Sequence, residues 1–474
     1  MPATFLPPAR GRWAVQRVLT SHGSVETQRV FTHIPLEIQL QILAELESPD
    51  LGQVVSASKS LNKLAIPLLN RRVVWTTKKK FSGHMLFWDK PENRELMEKG
   101  VVELVVGTMS HDSHGGWYPI RWDMREVVRQ LSRFQRLQRL DFLQTVFCDT
   151  WALFSLVNQL KELRTLNMLS FHVGVPSGFG QSQATKPQCS LVAIPSSLTS
   201  LTLCMSGGVC WETHASALRW LLSCHRFTLR QLVVNPTLLR LIGSRVTSQA
   251  TLDSFVMATQ PKQPLPDSVW LESVTDLLSC STHSLRRLEL GWNSYERDLS
   301  PDNVLARTRF TGIAHYRGPA DWLSLCYGSS VVDLTLLGPI WVRNHDWFQN
   351  VWVRPPDGWG SSIVILSVQL VIDNLCSLKT AKDTLSELHA HVGAIQACFL
   401  LVETAAISTA YRTLAEHTLR LWNSLMQITV SMAPPVGRDE LGLVVREWKT
   451  SHRKLRKVTF VPYRGKVFAG QISQ

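Results

Sequence analysis

The one place where histidine, aspartate and serine crowd together is His111-Asp112-Ser113-His114. Nucleophilic catalysis needs a base within hydrogen-bond reach of the nucleophile and a third group to orient that base. Four consecutive residues ahead of Gly115-Gly116 read instead as a turn. Metal ligation calls for His, Cys or carboxylates in tight pairs. The closest grouping is Cys204, Cys210, Cys224 and His225, and no Cys-x-x-Cys occurs among the nine cysteines, so structural zinc is not expected. A phosphate-binding Gly-x-x-x-x-Gly-Lys, a Gly-x-Ser-x-Gly elbow and a His-Glu-x-x-His pair are also missing. No catalytic, cofactor-binding or metal-binding residue is assigned, and the chain reads as a non-enzyme.

Charge is the remaining source of chemistry. The 474 residues carry a formal net charge of +13, but the excess is spread along the chain. Lys78-Lys79-Lys80 is a short run. The densest basic stretch, Arg446 to Lys466, interleaves Arg453, Lys454, Arg456 and Lys457 with Leu455, Val458 and Phe460, as the solvated face of a buried element would. A surface of this kind suits acidic or phosphorylated proteins, and no nucleic-acid partner is expected. No stretch of 18 uninterrupted apolar residues exists, so no membrane partner is expected either. The N-terminus has no apolar signal core, and Pro7-Pro8 breaks the amphipathic helix of a mitochondrial presequence. Scattered, reduced cysteines fit a protein of the cytoplasm or nucleus.

Two sets of elements must position whatever surface acts. The first lies at the N-terminus. Pro35 fits the first turn of a helix. Leu36, Leu40 and Leu43 then form one apolar stripe, and Ile38, Ile42 and Leu46 a neighbouring one. The two cannot both face one small core, so one stripe is expected to face in and the other out. Ser48-Pro49-Asp50 restarts a helix, with Ser48 as its expected cap and Leu51, Val54 and Val55 on its stripe. Leu61, Leu64, Ala65, Leu68 and Leu69 mark a third helix, which Pro67 is expected to kink or split.

From Ile34-Pro35-Leu36-Glu37-Ile38 through Ile42-Leu43, Leu46, Asp50-Leu51, Val55-Ser56 and Leu61 to Leu64-Ala65, the segment resembles the F-box motif in order and spacing. The phrase Leu64 to Val74 is similar to the tail of many basidiomycete F-box proteins. The sequence departs from the usual pattern at Ile34 and around Ser58. The resemblance implies a three-helix fold that docks on a Skp-type adaptor and, through it, a cullin. It implies adaptor contacts from Pro35, Leu36, Ile38, Ile42, Leu43, Leu46, Leu51, Val54 and Val55. On the residues alone, a plain helical bundle with all of these in its core stays open.

The second set fills the rest of the chain. The phrase polar-polar-aliphatic-polar-polar-aliphatic-polar-apolar begins at Gln135, Lys161, Ser196, His283 and Arg453, where chance would give about one match. Looser copies run through Val101-Leu104-Val106, Leu229-Leu232-Val234, Leu252-Phe255-Met257, Val331-Leu334-Leu336, Ile363-Leu366-Val368 and Leu425-Ile428-Val430. Starts lie mostly about 23 to 36 residues apart, the length of one strand plus one helix. Amphipathic helices fit Asp123 to Leu131, Trp151 to Leu160, Ala215 to Leu222, Val269 to Leu278 and Leu441 to Trp448. This looks like the irregular leucine-rich repeats found behind F-boxes, with their asparagine ladder nearly absent.

The expected fold class is therefore α/β: an N-terminal three-helix F-box followed by an irregular leucine-rich-repeat-like α/β solenoid. The expected boundaries are a flexible segment 1–30, the F-box 31–75, a connector 76–100, the solenoid 101–462 and a tail 463–474. Loops are expected at Gly174 to Gln188, Thr259 to Asp267, Asn293 to Pro319 and Pro434 to Arg438. Trp292, Trp341, Trp347 and Trp359 are candidate interface anchors on loops. Taken together, the resemblance implies the substrate-recognition subunit of an SCF-type E3 ubiquitin ligase, with the repeats binding a protein substrate. The alternative is a repeat-based protein-interaction scaffold with no ligase role.

Overall fold

The computed structural model describes residues 34–107, 124–147, 150–173, 197–205, 212–235, 238–239, 251–258, 274, 277–291, 310–337, 340–341, 359–372, 378–392, 395–404, 410–432 and 438–462. The chain divides into two compact units, Met1–Ser197 and Leu198–Gln474. Both are mixed α/β, and their strands pair in parallel.

The first unit opens with three helices, α1 (Leu36–Ala44), α2 (Ser48–Ala57) and α3 (Lys59–Arg71). The carbonyl of Pro35 accepts the N–H groups of Ile38 and Gln39 in the first turn, at 3.0 Å each. Glu47, not Ser48, is the residue at the N-cap of α2, with Pro49 in the first turn. Ser58 caps α3 by accepting the Leu61 N–H at 3.1 Å, and Asn62 Nδ2 donates to the Val55 carbonyl at 3.1 Å, tying α3 to α2. Pro67 does not end α3. The carbonyl that loses its helical N–H is that of Lys63, an exposed residue, where water can replace the missing donor.

Leu43, Leu51 and Ala65 form the core of these helices, with Leu46, Val54, Val55, Leu64, Leu68 and Leu69 packed around them. The expected division of α1 into one inward and one outward stripe is corrected. The inward line is Gln39, Leu43 and Leu46, at i, i+4, i+7. Gln39 can occupy a buried place because its Nε2 donates to the Ile34 carbonyl at 2.6 Å, satisfying a polar group that burial would otherwise penalise. Leu36 and Leu40 lie on one flank of this line, and Ile38 and Ile42 on the other.

α3 runs without a linker into β1 (Arg72–Trp75). β1 pairs with β2 (Glu103–Gly107), β2 with β3 (Arg139–Leu143), and β3 with β5 (Thr165–Val173), which also pairs with β4 (Val146–Phe147). The stretch read as a connector holds α4 (Lys78–Trp88) and a π-turn, Leu96–Gly100. Trp75, Trp88 and Phe134 pack together, with ring centroids 5.7–6.4 Å apart. Trp88 Nε1 donates to Asn70 Oδ1 at 3.3 Å, and Trp75 Nε1 to His84 Nδ1 at 3.0 Å. Burial, with Lys80 nearby, lowers the His84 pKa, which favours the neutral ring that such an accepting nitrogen requires. The amphipathic stretches near 124 and 151 form α5 (Met124–Leu131) and α6 (Thr150–Val157).

The second unit strings β6 (Ser200–Met205), β7 (Gln231–Val234), β8 (Ser254–Met257), β9 (Arg287–Leu290), β10 (His315–Pro319) and β11 (Asp333–Leu337) in sequence order. They continue into β13 (Ile365–Ile372), β14 (Ala397–Thr404), β15 (Gln427–Met432) and β16 (Lys457–Pro462), with the short β12 (Ile340–Trp341) pairing β13. Helices α7 (Glu212–Cys224), α8 (Leu378–His391), α9 (Ala410–Leu421) and α10 (Arg438–Ser451) lie between strands in the chain.

Within each unit the repeated phrase becomes a ladder. Its middle apolar residue faces its counterpart in the next strand: Leu104, Leu140 and Leu166 in the first unit, and Leu201, Leu232, Phe255 and Leu288 in the second. These side chains are buried, each stabilising the fold by about 1.5–3 kcal/mol. A shared corner precedes the strands. One carbonyl accepts two successive N–H groups from the next repeat: Val102 from Gln138 and Arg139, Asp253 from Arg286 and Arg287, and Met426 from Arg456 and Lys457, at 2.8–3.1 Å.

Serine hydroxyls tie successive repeats together. The residue before the first apolar position is Ser197, Ser284, Ser362 or Ser424 in four repeats. Each hydroxyl donates to the first-position carbonyl of the preceding repeat, namely Leu163, Leu252, Val331 or Ile395, at 2.7–2.8 Å. Gly312 occupies the same place in another repeat, where a Cβ would stand 3.0 Å from the Leu285 oxygen and 2.6 Å from that of His283.

Two expectations about loops change. Asn293 to Pro319 is not loop to its end, because Ile313-Tyr316-Gly318 is a repeat phrase and β10 begins at His315. Tyr316 takes the middle position facing Leu288, and its ring fills the space of the third, which is why Gly318 stands there. Trp359 is not a surface anchor. It is buried, and its Nε1 donates to the Cys326 carbonyl at 2.8 Å. Trp292, Trp347 and the loop segments 174–188, 259–267 and 434–437 lie outside the described residues.

Candidate functional site

The four residues His111 to His114 lie outside the described residues, as does Cys210. Of the remaining thiol grouping, Cys204 is buried, Cys224 exposed and His225 buried. Burial pushes the Cys204 thiol up to about 12 and the His225 imidazole down to about 4, so neither is charged near neutrality. Cys398, also raised to about 12 by burial, is the middle apolar residue of a repeat, a core place in the ladder. Among the described residues no group of three His, Cys, Asp or Glu could hold a metal ion. Among them, too, no helix is long and apolar enough to cross a membrane.

What the first unit does offer is an apolar surface on α1. Leu36, Ile38, Leu40 and Ile42 are 51%, 43%, 36% and 41% exposed. The helical period puts them on two shoulders either side of the buried line Gln39-Leu43-Leu46. Other large exposed apolar residues stand singly or in pairs, as Leu86 and Phe87, Phe227, Val332, Phe399 and Leu443. Isolated exposed apolar side chains are ordinary, and four within seven residues are not.

The structure sorts the candidate adaptor residues by burial. Pro35, Leu36, Ile38 and Ile42 are exposed, Leu46, Val54 and Val55 are half-buried at the core edge, and Leu43 and Leu51 are core. Leu40 is a further exposed member that the sequence reading left out of the contact set, although its i+4 spacing from Leu36 marks it. Covering the four exposed chains would gain about 1 kcal/mol each, and a total of about 4 kcal/mol corresponds to roughly a thousandfold in affinity.

Several charges on the solvent face of the strands are paired within it. In the first unit Arg139 Nε donates to both Asp141 oxygens at 3.0–3.1 Å, and Asn167 Nδ2 adds a bond to Asp141 at 2.7 Å. In the second unit Arg287 pairs with Glu289, and His315 Nδ1 lies 3.6 Å from Asp333. Phe399 is the large apolar side chain exposed among the described strand residues of that face.

No protein-family model and no curated protein matches the chain. Among solved structures, the chain is similar to one described as the crystal structure of the Rad7 and Elc1 complex in yeast. The identity is 9%, the match covers 96% of this chain and 98% of that chain, and the TM-score is 0.34.

Proposed function

We propose that the chain is a non-catalytic substrate receptor of an SCF-type ubiquitin ligase. Its helices α1 to α3 dock on a Skp-type adaptor, and through it a cullin, while the repeats hold a protein substrate in the cytoplasm or nucleus. The observation that carries this reading is the double apolar shoulder of α1, outside a helical core already closed by Leu43, Leu51 and Ala65. A helix that has buried its inward line and still exposes four aliphatic side chains fits a partner on each flank. The receptor contributes proximity: it raises the local concentration of substrate lysines near a thioester formed elsewhere in the complex.

Co-expression with the adaptor tests this. The full chain co-purifies with it, and Leu36→Glu with Ile42→Glu abolishes the complex without unfolding the protein, since both residues are exposed. Failure to form a complex under conditions where a control F-box protein binds would leave the repeat-based scaffold as the standing description.

A further inference from the structure

The end of α10, the turn after it and the start of β16 make a corner with one sign of charge. It carries Lys449, Arg453, Lys454, Arg456 and Lys457, and Arg420 at the end of α9 joins them across His452. The four residues from Arg453 to Lys457 that bear charge are exposed, as is Arg420. None of these six cations forms an ion pair among the described residues. The two segments that build the corner, 417–432 and 448–462, contain no Asp or Glu. The carboxylates that flank these segments in the chain, Glu416 and Glu447, are both engaged by Arg412, at 3.0 and 2.5 Å, and Asp383 of α8 acts on His417. The His452 pKa is lowered by burial and then by Arg420, which places Arg420 beside the turn.

This concentration is not a by-product of folding. Cations at a helix C-terminus complement its dipole, but one or two suffice for that. Like charges held this close repel one another unless an anion comes between them. On other strands charge is cancelled locally at Arg139–Asp141 and Arg287–Glu289. Here it is left uncancelled.

We infer that this corner is a docking site for an acidic peptide segment, rich in Asp and Glu or phosphorylated, of the protein that the repeats hold. One feature favours a peptide over nucleic acid. Trp422 and Trp448 are buried, and the half-buried Phe460 packs its ring on Trp448 with centroids 5.8 Å apart, so the described aromatic residues of the corner offer no open platform on which bases could stack. The inference deepens the receptor reading by naming the chemistry of the substrate segment, yet it needs no adaptor.

Fluorescence anisotropy of the full chain with a labelled decaglutamate peptide, a doubly phosphorylated serine peptide and a DNA 12-mer, single- or double-stranded, tests it. Either peptide binds more tightly than DNA, and raising the salt weakens binding. Arg453→Gln/Lys454→Gln/Arg456→Gln weakens peptide binding about tenfold. Lys78→Gln/Lys79→Gln/Lys80→Gln, the same change in net charge elsewhere, leaves it within twofold. Equal losses in the two triple variants would reduce the effect to net charge and overturn the site, and tighter binding of DNA would overturn the choice of partner. Adaptor co-purification of the first variant, measured in parallel, separates failure of this site from failure of the receptor reading.

Discussion

Gly318 offers a test of how the repeat core is packed. A methyl group there would stand 2.7 Å from Tyr316 Oη, 2.9 Å from its Cζ and 3.2 Å from Leu290 Cβ, against an ordinary contact of about 3.5–4 Å. Tyr316 is 1% exposed, so its ring cannot swing aside without disturbing neighbours. Gly318→Ala is expected to cost about 1–3 kcal/mol by overpacking. Tyr316→Leu alone costs about 2 kcal/mol or more for the volume it empties. In the double variant the methyl group enters that volume, so the two penalties do not add, with a coupling of about 1–2 kcal/mol. Because two units need not unfold together, the readout is amide hydrogen exchange of the full chain, followed in a peptide covering residues 310–337. Gly318→Ala should speed exchange there about 5- to 150-fold, and the double variant should exchange no faster than Tyr316→Leu. Unchanged exchange in Gly318→Ala, or additive penalties, would refute the claim that one ring fills two repeat positions.

Three further outcomes are expected. Leu43→Ala opens a cavity among α1 to α3 and costs about 2–5 kcal/mol, while Leu40→Ala stays within about 0.5 kcal/mol; limited proteolysis between residues 36 and 71 tells them apart, and equal sensitivity would count against the assigned inward line. Ser284→Ala removes the donor to the Leu252 carbonyl and costs about 1 kcal/mol, seen as faster exchange in β9 and absent if the serine bonds are incidental. His225 is held neutral by burial, with its pKa down at about 4 against 6.5 unfolded. The unfolded chain therefore binds a proton that the fold refuses, and stability falls as pH drops from about 6.5 toward 4, by up to about 3 kcal/mol. Urea denaturation at pH 7 and pH 4.5 should show this loss reduced in His225→Gln, and an equal loss in both proteins would exclude the imidazole as its source.

The parts of the fold that were legible in the sequence are those written in periodicity. Apolar residues spaced through the phrase predicted strands, and the ladder pairs those at its second and third positions, with α5, α6, α7 and α10 where amphipathic spacing put helices. The repeats that escaped notice had hidden residue types in those positions: Tyr316 with Gly318, and Cys398 between Ile395 and Leu400. The serine bonds were also overlooked, although serine ahead of the first leucine is visible once the corner geometry is known. On α1, side-chain type misled, because an apolar pattern cannot say that Gln39 will find a carbonyl and take the inward place. Pro67 does not split α3, because the cost of the proline depends on whether solvent reaches the carbonyl it deprives, and sequence does not show exposure. The apolar residues of α1 and α2 were legible as a set, whereas their division into core, edge and shoulder was not.

The passage from α3 into β1 has a mechanical consequence. The carbonyl of Arg71, the last residue of the helix, already accepts the Val102 N–H at 2.9 Å. Asn70, one residue earlier, is bonded to Trp88 from outside the helix. No residue lies between the two elements to act as a swivel, and Trp75, Trp88 and Phe134 wedge the angle. A load placed on α3 therefore reaches β1 directly through the backbone and these bonds, with no intervening residue to absorb it as a change of backbone angle.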